Sequence, residues 1–276
     1  MLSVVKSAPA EINFAELKQR AAHPAFDPLR EWIDAFSGAN WPTLAELSAG
    51  LPSGLQFVAA SPSSANYELD IHARGEIPTR AQNWHDFFNA LIWLGYPQSK
   101  RELNRQHVMQ LAIGGEAERK RRSSKRDTLT LFDEGGAVIA YNTPEVAALI
   151  GAFQWKQLFY QRREALAGSY RVFVFGHASL ERLLDPPLGL TNKCLLMPVD
   201  AGFLQMDTAT QRASVDAWTC AQLTDQALLA STKNLAPFPL LGVPGYHPGT
   251  AQACFYDDES YFRPNYRKLK ASAAGD

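Results

Sequence analysis

Apolar residues recur at helical spacing near the start of the chain. After Asp27-Pro28, the positions Leu29, Trp32, Ile33 and Phe36 follow the i, i+3, i+4, i+7 pattern of an amphipathic helix with an aspartate cap. Pro42 with Leu44, Leu47 and Leu51 predicts a second short helix that ends near Gly50. Pro52-Ser53-Gly54 reads as a turn, and Leu55 to Ala59 as a strand. From Tyr67 to His72 the chain alternates, with Tyr67, Leu69 and Ile71 on one face and Glu68, Asp70 and His72 on the other. That alternation predicts another strand, broken by Ile77-Pro78-Thr79-Arg80. A long helical pattern begins near Asn83; Tyr96-Pro97 interrupts it, and Ser99 is placed to cap a continuation through Leu111.

Residues Gly114 to Arg126 are polar and basic and predict a surface loop or a fraying helix end. Thr128 to Phe132, then Asp133-Glu134-Gly135-Gly136, then Ala137 to Tyr141 reads as a β-hairpin with glycines at the turn. Thr143-Pro144-Glu145 opens a helix, with Thr143 as its cap and Pro144 at the first helical position. Arg171 to Phe175 is apolar enough for a central strand and runs through Gly176-His177 into a helix bearing Leu180, Leu183 and Leu184. Asp185-Pro186-Pro187 stops that helix, Cys194 to Met197 predicts a strand, and Val215 to Ala230 a helix. There is no internal repeat and no low-complexity linker. The expected fold is therefore α+β, one globular domain over residues 1–276, with several helices packed on a small mixed sheet that includes a β-hairpin. Within it, residues 1–53 form a helical N-terminal part, and the proline- and glycine-rich residues 235–276 wrap the domain irregularly.

Composition narrows the class. A chain of 276 residues, 46% hydrophobic and 20% charged, can bury a substantial core, and its net charge of -1 argues against coating nucleic acid or a membrane by bulk electrostatics. The three cysteines Cys194, Cys220 and Cys254 are far apart and form no CxxC pair, which favours a reducing compartment over a disulfide framework. Cys220 lies in an apolar helical pattern and reads as a buried thiol rather than a nucleophile. Met1 to Phe14 lacks a leader's apolar segment, and no stretch approaches the ~20 apolar residues of a membrane span. A cytoplasmic location is the expectation. With no P-loop and no GxGxxG after a strand, no nucleotide cofactor is expected.

The densest chemistry lies in Asn83-Trp84-His85-Asp86-Phe87-Phe88-Asn89-Ala90-Leu91. On a helix His85 and Asn89 share a face, in a segment apolar nearly all round. Buried imidazole and carboxamide groups need partners or each costs about 1–3 kcal/mol, so the pair is either a packing network or a site. As a site, Asn89 would orient His85. Asp86 points about 100° away and is placed to pair with Arg80 rather than to orient His85. Asn104 and His107 are spaced i, i+3, and His107 could approach His85 if the chain folds back at Tyr96-Pro97. Histidines with a carboxylate would suit zinc or another divalent metal, although no HExxH spacing is present.

His177 follows a strand and precedes a helix, a position where α/β proteins place ligands. Gly176-His177-Ala178-Ser179 is not the nucleophile elbow, so Ser179 is no candidate. Asp133-Glu134 reads as turn chemistry. Asp257 and Asp258, set among Phe255, Tyr256, Tyr261 and Phe262, either close a pocket or form a solvated turn. The run Arg119, Lys120, Arg121, Arg122, Lys125, Arg126 is either a solvated loop or a phosphate contact.

Several of these segments carry a resemblance. Ile77-Pro78-Thr79-Arg80, the run Asn83 to Leu91, Lys100, Leu103-Asn104, His107, Leu129 to Glu134, Phe175 to Ala178 with Leu180-Glu181, and Phe255 to Asp258 through Phe262-Arg263-Pro264 are similar to a family known as domain of unknown function 3025. The resemblance spans about Gly54 to Pro264 and implies bacterial origin. It brings no catalytic residues with it. The residues themselves lead to a hydrolase, metal-assisted or histidine-dependent, with His85, Asn89, Asp86 and His177 as its catalytic set. Arg80, Asn104, His107, Asp257 and Asp258 stand as binding residues. The alternatives are a module that binds a small molecule or a protein without chemistry, and RNA or DNA contact through residues 119–126, with nucleic acid the least favoured partner.

Overall fold

The structure, a computed structural model, describes residues 13–38, 40–61 and 67–265. Residues 1–12 of the stretch read for a leader, and 266–276 of the C-terminal part, lie outside the described residues. The N-terminal part is helical as expected: α1 (Leu17–Arg20), a 3-10 turn at Pro24–Leu29 that leads into α2 (Arg30–Phe36), and α3 (Leu44–Ser48). A capping box at Thr43 and Glu46 starts α3.

β1 (Gln56–Ala59) pairs in parallel with β2 (Glu76–Thr79), and the crossover between them is α4 (Tyr67–Arg74). Two expectations are corrected here. Residues 67–72 are helical, because Tyr67 and Ile71 at i, i+4 meet the interior while Asp70 and Arg74 form an ion pair of 2.8 Å along the outer face. Six alternating residues fit either period. Ile77-Pro78-Thr79, read as a strand breaker, is itself the edge strand β2, where a proline costs no ladder bond it could not spare.

α5 (Trp84–Gly95) and α6 (Pro97–Lys120) form the helical body. Asn83 caps α5 by accepting from Asp86 N at 3.0 Å. Tyr96 separates the two helices, with Pro97 at the first position of α6. Ser99 does not cap: its N and Oγ bond Asp216 on α10 (Thr208–Gln222), which docks α10 onto the start of α6. Of the two expectations for this stretch, a surface loop or a fraying helix end, residues 114–120 take the helical one: they continue α6 through a kink at Gly115, whose φ is 53°.

The expected hairpin is replaced by a helix. Residues 124–135 are α7 (Ser124–Gly135), capped by Ser123, with Thr128, Leu129 and Phe132 buried on one side. The chain then passes straight into β3 (Gly136–Tyr141). Gly135 and Gly136 do not supply positive φ. They permit close approach: a Cβ on Gly136 would lie 2.3 Å from Phe132 O, and one on Gly176 would lie 2.5 Å from Gly135 Cα. The junction that precedes β3 thus lies directly against the junction that follows β4 (Tyr170–Val174).

β3 is the buried spine of a four-stranded mixed sheet of order β4-β3-β5-β6. It pairs antiparallel with β4 and parallel with β5 (Thr191–Pro198), and β5 pairs antiparallel with β6 (Ala236–Pro239). α8 (Pro144–Ala152) follows β3, and Thr143 makes no side-chain capping bond. α9 (His177–Arg182) follows β4, and the helix expected over 215–230 divides into α10 and α11 (Gln226–Leu229). Residues 235–265 are more ordered than a wrap, since β6 and three 3-10 turns occupy them. Tyr261 anchors this part, accepting from Leu241 N at 2.9 Å and donating to Leu190 O at 2.8 Å. The buried apolar residues from Phe14 to Phe262 form one contiguous cluster. Among the described residues no helix is long and apolar enough to cross a membrane.

Candidate metal centre

α5 and α9 pack against each other, and α7 packs against α9. This brings His85 on the first turn of α5, His177 at the start of α9, and Asp133-Glu134 on the last turn of α7 to one place. The Nε2 atoms of His85 and His177 face each other at 2.9 Å. Glu134 Oε1 lies 4.0 Å from His85 Nε2, and Glu134 Oε2 lies 3.8 Å from His177 Nε2. These three side chains form the group of donors able to hold a metal ion among the described residues. Ligand atoms bound at ~2.0–2.1 Å in a tetrahedron stand roughly 3.3 Å apart, so the distances bracket that value and adjustments under about 1 Å suffice. Glu134 is the most exposed of the three donors.

One proton bridges the two Nε2 atoms, and the His85 tautomer suits its replacement by a cation. Glu181, one helical turn beyond His177 on α9, sits 3.2 Å from His85 Nδ1. With Nδ1–H donated to that carboxylate, Nε2 of His85 carries its lone pair into the site. The hydrogen bond to Glu181 raises the His85 pKa above the ordinary histidine value, although burial opposes it. His177 is buried and therefore neutral, its pKa pushed down to about 3. Burial also raises the Glu134 carboxyl, against the pull of His85.

Behind the pair lies a polar interior. Lys100 on α6 is buried and donates to Asp133 Oδ1 at 2.5 Å and to Asn89 Oδ1 at 2.9 Å. Burial disfavours the Asp133 carboxylate, yet the Lys100 ammonium outweighs it and holds that carboxyl below its usual range. Asn89 donates onward to Tyr67 Oη at 3.0 Å. Asn89 thus shares a helix face with His85 as the spacing predicts, but Glu181 rather than Asn89 orients the imidazole. Asp86 is held by Arg80 through the guanidinium at 2.7 and 3.0 Å and the backbone N at 2.6 Å. That pairing fixes the entry to α5 and turns Asp86 away from His85.

Asn104 donates to the Glu68 carboxylate at 2.7 Å, and Arg126 lies 3.5 Å from His107 Nδ1. His107 is buried, with its pKa pushed down to about 4, and its ring bonds Arg126 rather than His85. Burial pushes the Glu68 carboxyl up to about 7, opposed by Asn104. A carboxyl whose folded pKa exceeds its unfolded value is unpenalised at low pH and destabilises progressively as pH rises through that window. Glu68→Gln, which keeps an oxygen for Asn104, is therefore expected to be near neutral at about pH 5. At about pH 8 it should stabilise by on the order of 1–3 kcal/mol in denaturant unfolding. Equal effects at both pH values would contradict a raised Glu68.

Asp257 and Asp258 lie in other company. Asp257 pairs with Lys156 at 2.6 Å, and Asp258 accepts from Ser260 N at 2.9 Å in a turn. Asp257 lines a cleft of about 450 Å³ with Trp155 and Lys156, and a second cleft of about 440 Å³ lies by Arg163 and Tyr246. Neither contains a residue of the histidine pair. The basic run crosses from α6 to α7; Arg121 and Arg122 are exposed, while Arg126 turns inward to Glu118 O at 3.0 Å. The side chains of residues 119 and 120 lie outside those described.

Fold and site together define an α+β protein built around a histidine pair flanked by carboxylates. The chain belongs to the family described as "Protein of unknown function (DUF3025)", whose sequence model matches residues 55–266. No curated protein and no solved structure matches it.

Glu134 and Glu181 were missed as site residues by sequence reasoning. Glu181 had a usable signal, its i, i+4 spacing from His177. Glu134 was concealed by the hairpin reading, which made it turn chemistry.

Proposed function

We propose that this chain is a metal-dependent hydrolase whose divalent cation is held by His85, His177 and Glu134. The observation that carries the reading is the facing of two imidazole Nε2 atoms at 2.9 Å with a carboxylate within 4.0 Å of both. Two histidines and one carboxylate form a donor set that catalytic zinc uses, leaving a coordination position for water or substrate. A divalent cation there would supply Lewis acidity and a more acidic water. The chain's own contribution is to keep His177 neutral by burial and to aim Nε2 of His85, whose Nδ1–H the Glu181 carboxylate holds. Glu134, on the half-exposed side, leaves the site open to an incoming substrate.

The test is a panel of carboxylic and phosphoric esters offered to untagged protein loaded with zinc, cobalt or manganese. Turnover is expected that stops on chelation, returns on metal addition, and falls by at least about 100-fold in Glu134→Gln, the scale of losing a group that stabilises charge. Fully loaded protein inert on every ester would overturn hydrolysis.

A further inference from the structure

His177 Nδ1 is fully buried and makes no hydrogen bond of normal geometry, although the Asp133 backbone lies beside the ring. An unsatisfied ring nitrogen in the interior is uncommon enough to need a reason. The Asp133 carboxylate faces it, with Oδ2 at 4.0 Å, about 1 Å beyond a normal hydrogen bond. The other oxygen, Oδ1, is held by Lys100. The opposite imidazole already has the completed arrangement, since Glu181 stands 3.2 Å from His85 Nδ1. The centre therefore has one closed carboxylate–histidine arm and one open by a short distance.

We propose that Asp133 is the positioning residue of His177: when a cation takes the place of the proton between the two Nε2 atoms, the single ring proton of His177 moves from Nε2 to Nδ1, Oδ2 closes onto Nδ1–H, and the site gains two matching carboxylate–histidine arms. This rests on the metal reading above. A cation on Nε2 withdraws electron density from the ring and makes Nδ1–H a stronger donor, which favours the short closure. Lys100 keeps Asp133 in place by its other oxygen and compensates its charge. The last turn of α7 then serves the centre twice, Glu134 reaching the cation and Asp133 reaching the ring behind it. Other carboxylates are accounted for differently: Glu181 belongs to His85, and Asp86 to Arg80.

The experiment titrates zinc into wild type, Asp133→Asn and Glu181→Gln, each labelled with ¹⁵N at histidine. Binding is read by competition with a chromophoric chelator and the imidazole N–H protons by NMR. In zinc-loaded wild type, two slowly exchanging, downfield Nδ1–H resonances are expected. Asp133→Asn should shift the one assigned to His177 upfield and speed its exchange, and Glu181→Gln should do the same for the one assigned to His85, because a neutral amide oxygen accepts more weakly than a carboxylate. Each variant should still bind one zinc, about 10- to 100-fold more weakly, the usual effect of removing a carboxylate behind a ligating histidine. The wild-type spectrum reads the proposal even if a variant folds poorly. One zinc bound with no protected His177 Nδ1–H, or with that resonance unchanged in position and exchange in Asp133→Asn, overturns the Asp133 role and leaves the metal centre standing. No zinc bound by wild type overturns both.

Discussion

Replacing His177 by alanine is expected to abolish stoichiometric zinc binding in a chain that still folds. His177 supplies one of three donors, and without it only His85 and Glu134 face the site. The loss should exceed the ~10–100-fold attached to a residue that merely supports a ligand. The fold should survive because Nδ1 has no partner to strand, and His85, which loses its contact with the ring, keeps Glu181; the cost should stay within the usual range of about 0.5–3 kcal/mol. The clean readout is thermal or denaturant unfolding with and without zinc. A ligand at 100 times its Kd stabilises the native state by about 2.7 kcal/mol, so wild type should gain that amount and His177→Ala should gain none. Equal stabilisation of both proteins would place the zinc elsewhere.

The second large effect concerns Lys100. Its ammonium is buried, bonded to Asp133 and Asn89, and 5.4 Å above the Trp93 ring. Lys100→Met fills similar space but leaves the Asp133 carboxylate without its counter-charge. Removing one partner of such a pair costs about 3–5 kcal/mol, and the lower end applies because Asp133 keeps some contact with solvent. Urea unfolding at neutral pH should show the loss. Adding Asp133→Asn to Lys100→Met should recover part of it, since the uncompensated charge is then gone. A cost below about 1 kcal/mol for the single variant would mean the pair contributes no more than a surface ion pair.

The helices α5 and α9 and the strands β3, β4 and β5 were legible in the sequence because their signals are local: an apolar run of the right length, a cap, a proline at the first turn. His85, His177 and the Asp86–Arg80 pairing followed from those elements. What failed did so where two periods fit the same residues. Tyr67 to His72 alternates in polarity yet buries Tyr67 and Ile71 at helical spacing. Thr128 to Phe132 followed by two glycines reads as a hairpin, but Gly135 lies where Gly176 must pass closely rather than where the chain turns back. That error hid Glu134, since the distance from His177 to Glu134 is set by the contact between two junctions far apart in sequence. The approach of His85 to His177 depends on how α5 packs on α9, a tertiary fact with no local signal. For Asp257 and Asp258 the sequence leaves a pocket-closing segment and a solvated turn both open; Asp258 lies in a turn and Asp257 lines a cleft apart from the histidine pair.

The central claim is that His85, His177 and Glu134 hold one divalent cation. Anomalous diffraction at the zinc edge, from crystals of untagged protein grown with zinc, tests it most directly. The account predicts one peak about 2.0–2.2 Å from both Nε2 atoms and a Glu134 oxygen, with the rings parted from 2.9 Å. A zinc peak at other residues, or none at this site with the two rings still in contact, would contradict it.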